Sequence, residues 1–231
     1  MRRMGVVTMA VLFAAGLAWA AEEAKPDEAG FVPLFNGTDL TGWVGPGVKG
    51  YQVQDGAMIC PAKGGGNVYT EKEYGDFILR FEFKLTPGAN NGVGIRAPLQ
   101  GDAAYVGMEI QVLDDTAKQY EKLQPYQYHG SIYGVAACKR GHQKPIGEWN
   151  TEEIRAEGNK ITIVLNGVAI VDADLTPIVE GKQDTADHGG TKRHPGLLRK
   201  SGHIGWLGHG SHVEFRNIRI KELKPAEPAG K

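Results

Sequence analysis

The residues with the most chemistry in the smallest space lie in AYVGMEIQVLDD, Ala104 to Asp115. Glu109 can take a proton, Gln111 can bind a polar group through its amide, and Asp114 is a second carboxylate. Val106, Met108, Ile110 and Val112 are apolar and alternate with Tyr105, Gly107, Glu109 and Gln111. A strand turns alternate side chains to opposite faces, so the first set would join a core and the second would line an open face, with Gly107 leaving room over the sheet. Asp114 falls out of phase, and a bulge around Leu113 would return it beside Glu109 and Gln111, since an unpaired carboxylate is costly in a core. Two carboxyl groups about 5.5 Å apart would serve a retaining glycosidase. Here neutral Gln111 stands between Glu109 and a short Asp114, which points to one base instead of a carboxylate pair.

Other candidates surround this strand in sequence. Arg96 ends NNGVGIR, and its charge can neutralise Glu109 or Asp114. Asp114 and Asp115 can equally cap a short helix over Asp115 to Leu123. Tyr133 and Trp149 suit either a core or a stacking platform for a ring. His188, His194, His203, His209 and His212 crowd into 25 residues, yet no His-x-His or His-x3-His pair occurs, so a loop over the groove is expected in place of a metal site, and no cofactor is implied. Cys60 and Cys138 can pair or be buried separately. Asn36-Gly37-Thr38 matches a glycosylation sequon.

The elements that must position these groups read as strands. Phe77 to Leu85, FILRFEFKL, alternates strictly, and ITIVLNGVAIVD, Ile161 to Asp172, breaks at Asn166-Gly167, a strong hairpin signal. VEFRNIRI, Val213 to Ile220, slips phase at Asn217, which predicts a bulge there. Asn91 to Arg96 and His203 to Leu207 are further strands. With 33 glycines in 231 residues and almost no helical periodicity, the pattern predicts an all-β sandwich or jelly roll.

At the N-terminus Arg2, Arg3, an apolar run and Ala18-Trp19-Ala20 predict a signal peptide over 1–20, hence an exported, periplasmic or secreted protein. Segments 21–30 and 224–231 are rich in Pro, Ala and charge and predict disordered ends around one domain over 31–223. Without Arg2 and Arg3, 24 basic residues face 27 acidic ones, a balance that gives no electrostatic ground for nucleic acid or an anionic membrane as partner. The N-terminal apolar run is too short for a membrane span, and no second candidate follows.

The Glu-x-Gln-x-x-Asp spacing resembles the Glu-x-Asp-x-x-Glu strand of laminarinase-like glycoside hydrolases. A fuller resemblance runs in order along the chain. LFNGTDLTGW, GAMI, YGDFILRFEFK, NNGVGIR, YVGMEIQVLDD, HGSIYG, GEWN and GHGSHVEFRNIRIKEL, from Leu34 to Leu223, resemble the 3-keto-disaccharide hydrolase domain family, once labelled DUF1080. That resemblance implies a concanavalin-like jelly roll of two antiparallel sheets and a 3-keto-glycoside substrate, made by a partner oxidoreductase. A C3 ketone acidifies the C2 proton, so the bond at C1 can break by elimination followed by hydration. Such a route needs one base, an enolate stabiliser and an acid. Glu109 is the expected base and Arg96 the electrophile, His209, His129 or Tyr133 the acid or a substrate contact, and Gln111, Asp114 and Trp149 further substrate contacts. The family often has Leu-Gln before its His-Gly pair, whereas Trp206-Leu207 precede Gly208-His209-Gly210 here, so any role of that glutamine is absent. A non-catalytic carbohydrate-binding module or a protein-interaction domain on the same fold are the alternatives.

Overall fold

The computed structural model describes residues 28–63 and 65–224. Thirteen strands, numbered in chain order, form two antiparallel sheets. The larger holds β1 (Val32–Pro33), β3 (Gln52–Gln54), β4 (Ala57–Cys60), β6 (Phe77–Leu85), β9 (Trp149–Glu157), β10 (Lys160–Leu165), β11 (Val168–Asp174) and β13 (Val213–Glu222), in the order β11-β10-β9-β6-β13-β4-β3 with β1 also on β13. The smaller holds β2 (Trp43–Val44), β5 (Asn67–Thr70), β7 (Asn90–Ala97), β8 (Met108–Leu113) and β12 (His203–Leu207), in the order β2-β5-β12-β7-β8. Single helical turns α1 (Ala103–Val106), α2 (Thr176–Val179) and α3 (Gly190–Arg193) decorate the connections.

The sandwich closes on aromatic side chains from both sheets. Trp206 of β12 lies flat on Phe215 of β13, with ring centroids 4.5 Å apart and planes 2° from parallel, and Phe81 of β6 reaches the same indole at 5.0 Å. Each such pair contributes about 1 kcal/mol beyond the area it buries. The predicted alternation of β6 is realised: Phe77, Leu79, Phe81, Phe83 and Leu85 are buried. Asn166 and Gly167 take the positive φ angles, 49° and 84°, that a two-residue hairpin turn between β10 and β11 needs. The phase slip at Asn217 is a real bulge: the register against β6 shifts between Arg216 and Arg219, Asn217 takes φ 51°, and Phe215 and Ile218 both turn inward.

Several local expectations are corrected. Tyr105 and Val106 are not strand residues, because Asp102 caps α1 by accepting the Ala104 N–H at 3.1 Å, and β8 starts only at Met108. Gly107 does not open space over the sheet. A Cβ there would meet Ala97 Cα at 2.7 Å, and Gly196 packs so tightly that its own Cβ would meet Gly107 N at 2.4 Å. The stretch after Asp115 makes only a 3-10 turn over Lys118–Tyr120, and Asp115 instead accepts the His129 N–H at 2.9 Å. Cys60 and Cys138 are free thiols, the first buried and the second half-buried. Of the stretch 21–30, residues 28–30 are described, and Glu28 is ion-paired to Arg219 at 2.7 Å. The predicted signal peptide, the rest of 21–30 and residues 225–231 lie outside the described residues. Among the described residues no helix is long and apolar enough to cross a membrane.

Candidate active site

β7 and β8 pair without a break in register, Gly94 opposite Glu109, Gly92 opposite Gln111 and Asn90 opposite Leu113. Met108, Ile110 and Val112 enter the core as predicted, so Glu109, Gln111 and Leu113 face the other way. On the far side of β8 the backbone of 130–133 continues the sheet: Gly130 N–H donates to Gln111 O at 2.7 Å, Gln111 N–H to Ser131 O at 3.0 Å, and Tyr133 N–H to Glu109 O at 2.9 Å. These contacts fix Tyr133 beside the two polar residues. Glu109, Gln111 and Asn90 line a cavity of about 220 Å³, with Tyr105, Tyr133 and His209 around them.

Glu109 owes its position to a missing side chain. A Cβ on Gly92 would lie 1.9 Å from Glu109 Oε1, so the carboxylate rests over bare backbone on the neighbouring strand. Glu109 is only 6% and Gln111 only 5% exposed, and Glu109 Oε1, Gln111 Oε1 and Asn90 Oδ1 are buried without hydrogen-bond partners. Buried polar atoms are ordinarily satisfied, so three orphaned acceptor oxygens around one cavity mark a place for a ligand rich in donors. His209 Nε2 stands 3.6 Å from Glu109 Oε1, too far for a hydrogen bond but close enough for strong charge attraction. The Glu109 carboxylate, helped by Asp102, holds the His209 imidazole above its ordinary pKa against the opposing effect of burial. Tyr133 Oη accepts the Gln127 Nε2–H at 2.9 Å, which leaves its own proton to donate. Gln127 is in turn pinned by Gln124 N–H at 2.9 Å.

Glu109, Gln111, Tyr133 and His209 are thus brought together as expected from sequence, and four other candidates are not. Arg96 lies at a bulge where Ile95 and Arg96 of β7 face the single residue Ile204 of β12, and its φ of 48° re-aims the side chain. Its guanidinium is buried against Asp76 at 2.9 Å, Gly158 O at 2.7 Å and Gly75 O at 3.0 Å, away from the cavity. Asp114 needs no bulge, because β8 ends at Leu113 and the carboxylate turns to its own loop, accepting from Gly88 N at 2.8 Å and Thr116 N at 2.9 Å. Burial opposes its ionisation, but these bonds and the Thr116 hydroxyl hold its pKa below the usual range. His129 lies between the sheets, 3.2 Å from Glu152 Oε2 of β9 and tilted against the Phe83 ring, centroids 4.9 Å apart. Trp149 faces outward from the larger sheet, between Arg216 at 3.9 Å and Lys84 at 4.8 Å.

Sequence reasoning missed Asn90, Asp102 and Gln127 and did not assign Tyr105 to the site. A usable signal for part of this was the alternation Gly92-x-Gly94, a strand face stripped of side chains beside one carrying a carboxylate. The histidines scatter: His203 bonds Thr70 O at 2.8 Å, His212 faces Glu214 at 3.2 Å, and His194 is buried against α1. Among the described residues no group of three His, Cys, Asp or Glu side chains could hold a metal ion. The stretch expected to cover the groove packs against α1 through His194 instead.

Comparison with known proteins fits this geometry. Residues 30–221 match the 3-keto-alpha-glucoside-1,2-lyase-like domain family. A 3-keto-disaccharide hydrolase of Bacteroides thetaiotaomicron is 25% identical over 238 residues, covering 85% of this chain and 80% of that protein. The crystal structure of a "Putative glycosyl hydrolase" from Parabacteroides distasonis is 28% identical, with a TM-score of 0.71 over 84% of this chain and 99% of that one. At 10% identity and a TM-score of 0.51, a Bacillus subtilis protein with a galectin-like fold shares the fold alone, over 83% of this chain and 94% of its own. The two-sheet jelly-roll sandwich implied by the sequence is therefore the one found, and the chain belongs to the 3-keto-alpha-glucoside-1,2-lyase-like domain family.

Proposed function

We propose that this protein cleaves the glycosidic bond of a 3-keto-glycoside by elimination and hydration, with Glu109 as the base. The observation that carries the reading is Glu109 Oε1, buried over Gly92 without a hydrogen bond and facing only the His209 imidazole at 3.6 Å. In the proposed reaction Glu109 takes the proton from C2, and the electrons of the C2–H bond form the enolate at C3. The enolate collapses to restore the ketone, a C1=C2 double bond forms, and the aglycone oxygen leaves with a proton from the His209 imidazolium, which the proton held by Glu109 then restores. Water then adds its hydroxyl to C1 and its hydrogen to C2, giving the free 3-keto sugar. His209, its protonated form favoured by Glu109, supplies the positive charge near the reacting carbons. Arg96 has no part in this scheme, because its guanidinium is committed to Asp76 and two carbonyls. The oxygens of Gln111 and Asn90 accept sugar hydroxyls.

The substrate must arrive already oxidised at C3, so an oxidoreductase acts before this protein. A panel of 3-keto-glycosides and the same glycosides unoxidised tests the reading. Sugar release from the keto series alone supports it. Equal release from both series would point to ordinary hydrolysis, and binding without release would point to a carbohydrate-binding module.

A further inference from the structure

The stretch from Thr185 to His194 does not line the cavity but contacts the backbone next to two of its walls. On one side Asp187 N–H donates to Gly134 O at 2.9 Å and Ala186 N–H to Val135 O at 3.1 Å, next to Tyr133. On the other, His194 Nδ1–H donates to Ala104 O at 3.2 Å, and the His194 ring lies on Tyr105 at 5.0 Å. Arg193 adds a bond from Nη2–H to Tyr105 Oη at 3.3 Å. His194 is fully buried, and its Nε2 is 3.0 Å from Asp187 Oδ2, whose other oxygen accepts from Thr185 Oγ1 at 2.6 Å and Gly189 N at 3.0 Å. A Cβ on Gly134 would lie 2.8 Å from His194 Cε1, so the imidazole is wedged against the backbone beside Tyr133 while it holds the backbone beside Tyr105.

We propose that His194, backed by Asp187, is a positioning residue that fixes the gap between Tyr105 and Tyr133 and so decides which sugar ring the cavity admits. It touches no substrate atom. It acts by joining α1, a single turn with little stability of its own, to the rigid stretch paired with β8. The substrate half of this statement rests on the 3-keto-glycoside reading; the structural half does not.

The test uses His194→Gln and Tyr105→Leu in the full chain. In His194→Gln, amide exchange at Val106 and Gly107, the two amides that close α1, should quicken at least tenfold while the amides of β6 keep their protection. On a 3-keto-glycoside both variants should raise KM about tenfold and change kcat less than threefold. Tyr105→Leu removes a cavity-wall side chain together with its bond from Arg193 and its ring contact with His194, and leaves His194 and Asp187 in place, so it still decides the matter if His194→Gln does not fold. Unchanged exchange in α1 of folded His194→Gln, or an unchanged KM in Tyr105→Leu, overturns the proposal. If the wild-type protein cleaves no 3-keto-glycoside, the functional reading fails, and the exchange measurement alone decides the role of His194.

Discussion

Glu109 is a carboxylate kept where carboxylates are expensive to keep, with one oxygen lacking any hydrogen bond. Gly92 makes that possible, and Gly92→Ala should be unusually selective in its effect. The new methyl collides with the Glu109 side chain from Cγ to Oε1, so the carboxylate must leave its place, and sugar release should fall at least a hundredfold in protein that still folds. Thermal unfolding read beside turnover checks this. His209 gives a second handle. Because Glu109 raises its pKa, the charged form present at low pH persists past the ordinary value of 6.5 and is lost as pH rises through the raised one. Any contribution of the His209–Glu109 attraction to stability follows the same course, full below 6.5 and gone above the raised pKa. Glu109→Gln should bring the His209 titration, followed by NMR, back toward 6.5. The choice of Glu109, Gln111, Tyr133 and His209 was legible in sequence because residue type and strand period place the first two on one face, and family resemblance supplied the others.

Arg96 shows where that legibility ends. A single inserted residue in β7 against β12 reverses a side chain, and no composition or period announces it. The same blind spot hid α1, since Asp102 needs only one side-chain bond to turn the start of an apparent strand into a helical turn. The bulge at Asn217 was readable because apolar residues on both sides revealed the slip, whereas Arg96 is followed by Ala97 and Pro98, which carry no phase. Arg96 holds the bulge to Asp76 and to the turn at Gly158, and removing one member of a buried ion pair leaves the other uncompensated. Arg96→Ala should therefore cost about 3–5 kcal/mol, read as a lower denaturant midpoint, with kcat/KM of the folded fraction unchanged. A large loss of kcat in fully folded protein would restore Arg96 to the chemistry.

Across the whole molecule, the two sheets are joined by the aromatic stack around Trp206, and the cavity is built on the outside of the smaller sheet. Trp206→Ala should destabilise the sandwich by about 3–5 kcal/mol, measured by denaturant unfolding, through lost contacts with Phe215, Phe81 and Trp43. The fold was legible because alternating strands and turn glycines recur along the chain. The cavity was less so, because its walls come from α1, the 130–133 stretch and the loop at His209, which only the closed sandwich brings together. The central claim is that one base removes the C2 proton before the glycosidic bond breaks. It is tested most directly by cleaving a 3-keto-glycoside in D2O and reading deuterium at C2 of the released sugar against an enzyme-free control. Deuterium at C2 in step with sugar release, and loss of both by at least a hundredfold in folded Glu109→Gln, is the predicted result. Sugar released with protium retained at C2, or a Glu109→Gln variant with full activity, would contradict it.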